Sequence, residues 1–294
     1  MPPFLAPSVD VVFKLLFTRH ADSAEALIGL LTAVLRPKQA IAQIEVQNPA
    51  IGAGELEDKD IVLDILVRLA DGTTLNVEMQ ARKLEGYRER LLFYWARAYG
   101  QLLGMGEGYT RLRPTVVIAF LGYREADNPR FHSVFRLLEA ETHRPYSDAL
   151  SLHLVQLPLL GELTERDGRD EGALVHWSRF FAARTGEEAE AAAMNDPAVS
   201  KANAILRRLT GDPDVQELAR RRELAQAARL ITYGAIREEA RQEGEERGLR
   251  AAIYSLCAAL DISLDPAREA ALDAMNAAEL AAFLERIVTA RAWP

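Results

Sequence analysis

The stretch DIVLDILVRLADGTTLNVEMQ, Asp60 to Gln80, decides the fold of this chain. Ile61, Leu63, Ile65, Val67 and Leu69 are apolar at every second position, and so are Leu75, Val77 and Met79 beyond Asp71-Gly72. The positions between them carry Asp60, Asp64, Arg68, Asn76, Glu78 and Gln80. Alternation of period two is a strand pattern, and Asp-Gly between two such runs marks a hairpin. One face packs on a core, and the other presents two carboxylates and an amide.

The loop length follows from those faces. Residues directly opposite in an antiparallel pair point to the same side. A two-residue loop at Asp71-Gly72 would pair Ala70 with Thr73 and set the apolar row against the polar one. A three-residue loop, Ala70-Asp71-Gly72 with Gly72 in the left-handed region, pairs Leu69 with Thr73 and Ile65 with Val77. Asp64 then lies opposite Glu78. A one-residue slip would turn a whole strand over, so the apolar face selects the longer loop. Two facing carboxylates repel unless a positive charge lies between them, and a divalent cation is the natural candidate.

These residues carry a resemblance. An Asp on one strand followed by Glu-x-Lys on the next is the signature of the PD-(D/E)XK nuclease family. The chain resembles its transposase-like, recombination-promoting branch, where Glu-x-Gln replaces Glu-x-Lys. Asp64, Glu78 and Gln80 fall on the three motif positions. DVVFKLLF (Asp10 to Phe17) and RERLLFYWARAYGQLLGMGEGY (Arg88 to Tyr109) extend the likeness on either side, over roughly the first 120 residues. The resemblance implies an α/β fold with a restriction-endonuclease-like α-β-β-β-α-β core. It implies a metal-dependent DNA endonuclease with Asp64, Glu78 and Gln80 as catalytic residues. Mg²⁺ or Mn²⁺ would be held by Asp64, Glu78 and the Met79 carbonyl, with Asp10 from the first helix as an outer ligand. Gln80 departs from the usual lysine. An amide can orient a water but cannot act as a base or bring a charge.

Composition sets bounds around that site. The 294 residues suffice for a sizeable core, and 49% hydrophobic with 27% charged residues is ordinary for a globular chain. A formal net charge of −8 argues against coating nucleic acid nonspecifically but leaves room for a local basic groove. A single cysteine, Cys257, rules out an intramolecular disulfide and a thiolate zinc site. No stretch approaches a membrane span, and MPPFLAPSVD lacks the regions of a signal peptide, so a cytoplasmic chain is expected.

Outside the hairpin, Asp10 begins a helix with Phe13, Leu16 and Phe17 on one face, and Asp22 or Ser23 caps a second helix ending near Pro37. Asp10 and Lys14 stand at i and i+4, which a solvated helix pair also explains. Ile41 to Val46 reads as a strand. Lys83 to Leu103 reads as a helix with Leu84, Tyr87, Leu91, Tyr94, Trp95, Ala98 and Leu102 at helical spacing. Arg90, Tyr94 and Arg97 share one sector, with Lys83 a heptad before. Placed directly after the carboxylate strand they are, with Lys14, candidates for contact with nucleic acid. Simply solvated arginines are the plainer account. Arg113 to Leu121 is apolar enough for a strand buried on both faces, and Phe131 to Leu138 and Ala149 to Leu157 read as edge strands.

From about Gly168 the pattern is helical. The candidates are Ala173 to Ala183, Glu187 to Met194, Val199 to Leu209 and Val215 to Gln242, with Gly244 and Gly248 marking a hinge. Leu249, Ile253, Leu256 and Leu260 form a stripe. Asp265-Pro266 and Asn276 with Glu279 open two further helices. Taken with this pattern, the resemblance implies a nuclease-like domain over 1–165, followed by a helical extension over 166–245 and a small helical segment over 246–294. The helical C-terminal region is the expected surface for homo-oligomerisation. The five histidines show no metal-ligand spacing, Cys257 falls in an apolar stripe, and nucleotide-binding, serine-hydrolase and zinc-protease motifs are missing. Two rivals to the endonuclease remain. One is a non-catalytic DNA-binding or protein-interaction module on the same fold. The other is a helical scaffold with Asp64 and Glu78 as surface polar residues, a reading that fails if the even face of the hairpin lines a pocket.

Overall fold

A computed structural model describes residues 3–47, 65–163 and 172–294. Asp60 to Asp64, which the sequence pattern assigns to the first hairpin strand, lie outside the described residues. The chain opens with α1 (Asp10–Thr18) and α2 (Ser23–Leu35), followed by β1 (Ile44–Val46), β2 (Ile65–Leu69) and β3 (Thr74–Gln80). Next come α3 (Tyr87–Gly100), β4 (Thr115–Leu121), β5 (His132–Leu138) and β6 (Pro145–Gln156). Helices complete it: α4 (Gly172–Ala182), α5 (Gly186–Ala193), α6 (Pro197–Thr210), α7 (Pro213–Ala259), α8 (Pro266–Asp273) and α9 (Ala277–Ala290). The described strands form one sheet in the order β1-β2-β3-β4-β6-β5. β3, β4 and β6 run parallel, and the outer pairings are antiparallel. The mixed α/β architecture agrees with the expected core.

The hairpin has the three-residue loop that its faces demand. Ile65 pairs with Val77 and Val67 with Leu75. Leu69 N–H donates to Thr73 O at 2.9 Å, and Gly72 N–H donates to Leu69 O at 3.0 Å. Gly72 has φ +87°, and Asp71 Oδ1 accepts from Thr73 N–H at 2.8 Å. Left-handed geometry is nearly free for glycine, and the aspartate closes its own turn.

The sheet is covered on both sides. The odd side of β3 joins α1, α2, α4, α5 and α6 in the main core, where Phe13, Phe17, Phe120, Trp177 and Phe181 interlock with ring centroids 4.9–6.3 Å apart. Each such fully buried side chain contributes about 1.5–3 kcal/mol. α1 is buried from Val11 to Phe17, not along one stripe, because helices pack on the side away from the sheet. The other side carries a smaller core of Tyr87, Leu91, Val117, Ala119, Leu121 and Leu154, closed by α3.

Several elements differ from their sequence patterns. β1 begins at Ile44, which pairs with Leu69 at the end of β2, so residues 41–43 have no partner strand. α3 begins at Tyr87 because Gly86 turns the chain with φ +68°. Asp22 precedes α2 without a side-chain cap; Ser23 Oγ instead accepts from His20 N–H and donates to Leu16 O. β5 is an edge strand as read, but β6 is interior, parallel to β4, and its inner half is buried accordingly. Gly244 and Gly248 mark no hinge, since α7 runs through both.

Contacts divide the chain into two compact units, Met1–Arg222 and Glu223–Pro294. The sequence pattern instead suggests breaks near 165 and 245. The second unit has its own core of Ile253, Cys257, Leu272, Leu280, Phe283 and Ile287. Asp265 caps α8, and Asn276 with Glu279 forms the expected capping box at α9. Among the described residues no helix is long and apolar enough to cross a membrane.

Candidate active site

Parallel pairing with β4 fixes β3 in the middle of the sheet, with Glu78 beside Ala119 and Gln80 beside Leu121. Alternation sends both side chains to the side that α3 covers. Glu78 is therefore only 4% exposed. Gln80, at the strand end, is half-buried.

α3 meets Glu78 with two side chains. Tyr87 Oη–H donates to Glu78 Oε1, and Arg90 Nη2 stands 3.8 Å from Glu78 Oε2. Arg90 Nη2 also donates to Gln80 Oε1 at 2.7 Å, and Gln80 Nε2–H donates to Arg82 O at 2.7 Å. The guanidinium lies 4.9 Å from the Tyr87 ring centroid and 5.7 Å from that of Tyr94. Tyr123 packs edge-on to Tyr87 with centroids 6.3 Å apart. Burial, and then the Glu78 charge, push the Tyr87 hydroxyl well above its ordinary value, so it stays a proton donor to the carboxylate. Burial, then the charges of Glu125 and Glu78, likewise raise Tyr123. Tyr123 Oη and Arg90 Nε are buried without a hydrogen-bond partner among the described residues. Polar groups left unmade beside a buried carboxylate suit a site completed by something further.

The remaining sequence-derived candidates divide. Met79 is buried on the main-core side of β3, adjacent to Glu78. Asp64 lies outside the described residues. Asp10 sits at the start of α1, its Oδ2 accepting from Arg222 Nε at 3.0 Å and its Oδ1 from Val11 N–H at 2.7 Å. α1 packs on the side of the sheet away from α3. Lys14 is 3% exposed and offers no accessible cation, because α1 is covered on every side. Lys83 and Arg97 are exposed, before and within α3. Arg90 reaches Glu78 and Gln80, and its guanidinium faces the Tyr94 ring.

A cavity of about 500 Å³ lies farther along α3, between Arg88, Leu91, Glu125, Asp127, Leu152 and Leu154, and does not include Glu78. Arg88 forks onto Glu125 and Asp127 there. Glu78 is nonetheless no surface residue, and a six-stranded sheet is no helical scaffold, so that reading falls on burial and architecture. His132 and His153, far apart in sequence, meet across β5 and β6 with Nε2 and Nδ1 3.0 Å apart. No group of three metal-ligating side chains occurs among the described residues.

Tyr87 and Tyr123 are the residues that sequence reasoning missed. Tyr87 sits on the stripe that predicts core, and it is core. Its signal is the hydroxyl, which a buried tyrosine must satisfy.

No curated protein and no solved structure matches this chain. A family model described as PD-(D/E)XK nuclease family transposase matches residues 7–230, which takes in the sheet, α1 to α6 and the Glu78–Gln80 strand. The match covers most of the chain, and the α/β core and the carboxylate strand agree with it: the protein belongs to the PD-(D/E)XK nuclease family.

Proposed function

We propose that the protein is a metal-dependent endonuclease that hydrolyses phosphodiester bonds of DNA, serving recombination or mobile-element biology. The observation that carries this reading is the hairpin register. Ile65 pairs with Val77, and the same count taken one step further underlies the assignment of Asp64 as the partner of Glu78. Glu78 and Asp64 supply hard oxygen ligands, joined by the Met79 carbonyl, and this donor chemistry fits Mg²⁺ or Mn²⁺. The bound cation would neutralise charge at the scissile phosphate and lower the pKa of a water. Gln80 orients the attacking water through its amide, and Tyr87 holds the Glu78 carboxylate in one rotamer. Arg90, Tyr94, Arg97 and Lys83 line the approach for the phosphate backbone.

Burial of Glu78 beneath α3 favours a second reading, a module on the same fold that binds DNA or a protein partner without cutting. Supercoiled plasmid separates the two. Nicking or linearisation that requires Mg²⁺ and disappears in Glu78→Gln supports the endonuclease; an intact plasmid with retained binding supports the module.

A further inference from the structure

Arg90 brings a cation to the place where the site needs one. Its Nη2 donates to Gln80 Oε1 at 2.7 Å and stands 3.8 Å from Glu78 Oε2, so a single guanidinium bridges two of the three motif side chains. A buried carboxylate requires a compensating positive charge. The guanidinium keeps one unused donor. Its Nε is buried without a partner among the described residues, and the Tyr87 and Tyr94 rings face it at 4.9 and 5.7 Å. Aromatic faces attract a guanidinium without fixing its donors, which suits a group that moves.

We propose that Arg90 is an internal counter-cation. In the metal-free protein it neutralises Glu78 and holds Gln80. It competes with a divalent cation for the same carboxylate and leaves when a phosphodiester offers its fork a better partner. This inference rests on Glu78 being a metal ligand. Two cations at one oxygen repel each other, whereas bidentate phosphate matches guanidinium geometry. Metal loading and nucleic-acid binding are therefore linked, each strengthening the other by the same factor. The protein would resist loading its cation in the absence of substrate.

Mn²⁺ binding to the full chain, followed by the electron paramagnetic resonance signal of free Mn²⁺, tests this without reference to cleavage. The titration is run alone, with a short DNA duplex, and with the same duplex carrying an uncharged methylphosphonate backbone, the Mn²⁺ that each duplex binds without protein being subtracted. Wild-type protein should bind weakly alone and about tenfold more tightly with the charged duplex, the uncharged one having no effect, since a site blocked most of the time shows its affinity reduced by that fraction. Arg90→Gln should bind tightly from the start and gain little from DNA. Arg90→Lys, which keeps the charge, should stay near wild type. The inference is overturned if Arg90→Gln binds Mn²⁺ no more tightly than wild type, or if both substitutions weaken binding equally, as a structural role would require. Glu78→Gln separates the two levels. If it binds as wild type does, the metal-site reading fails and the counter-cation with it. If it abolishes binding while Arg90→Gln leaves binding unaltered, only the counter-cation fails.

Discussion

Glu78 accepts a hydrogen bond from Tyr87 on one oxygen while Arg90 stands off the other, and Gln80 is held between Arg90 and the Arg82 carbonyl. Removing the Tyr87 hydroxyl strips a partner from a buried acceptor. Tyr87→Phe should cost about 1–3 kcal/mol in urea unfolding, against a few tenths for an exposed tyrosine. Glu78→Gln should abolish Mg²⁺-dependent plasmid cleavage and leave DNA binding in a gel-shift assay intact or stronger, because a negative charge facing phosphate is lost. Gln80→Ala tests an amide that can only position. Turnover should fall about 10- to 100-fold with metal affinity nearly unchanged, the size typical of losing a group that orients a ligand. A Gln80→Ala protein that no longer binds metal would show instead that the amide oxygen is itself a ligand. At this scale the strand residues were legible because alternation places them. The α3 residues were legible only in part. Arg90 is visible as a charge on a helix face, but nothing in its spacing shows that it reaches across to Gln80, and Tyr87 reads as core because it is core.

Among the elements, the β2–β3 hairpin was the most legible, since loop length, glycine conformation and face selection are all local. β6 was misplaced because an apolar run reports burial and says nothing of which strand lies alongside. The start of α3 was misplaced because Lys83, Leu84 and Glu85 suit a helix, while Gly86 turns the chain before one begins. The expected hinge in α7 failed for a related reason: isolated glycines weaken a helix without breaking it. Gly244 and Gly248 have open space around the position of a Cβ. Gly244→Ala and Gly248→Ala should each stabilise the helix by about 0.5–1 kcal/mol, seen as raised helicity by circular dichroism. Gly29 is the opposite case. A Cβ there would fall 2.2 Å from Ala198 Cβ, where α2 crosses α6. Gly29→Ala should therefore destabilise by about 1–3 kcal/mol in chemical denaturation, the typical cost of overpacking. A neutral result would mean that the two helices separate easily.

The chain divides into two compact units, each with its own core residues, and the family match, ending at residue 230, stops close to the division after Arg222. Composition could not locate that division because it falls within one uninterrupted helix, and a helix keeps its periodicity whichever unit it serves. The helices α4 to α6 looked like an extension for want of strands, yet Trp177, Phe180 and Phe181 are buried in the same core as β3 and β4. Phe283 packs on Trp293 with ring centroids 4.9 Å apart in the second core. Phe283→Ala should remove about 3–5 kcal/mol from that small unit. A calorimetric scan should then show an early transition, accompanied by a change in tryptophan emission, ahead of the main one. A single unsplit transition would show that the units unfold as one.

Cys257 belongs to that second core, fully buried, and burial pushes its thiol above the ordinary range. The chain has no other sulfhydryl, so a thiol-selective alkylating reagent added to native protein has one target and reaches it only while the surrounding helices are open. The pace of alkylation is thus a stopwatch for breathing of the C-terminal unit, readable by mass without a label, a mutation or any assay of the nuclease site.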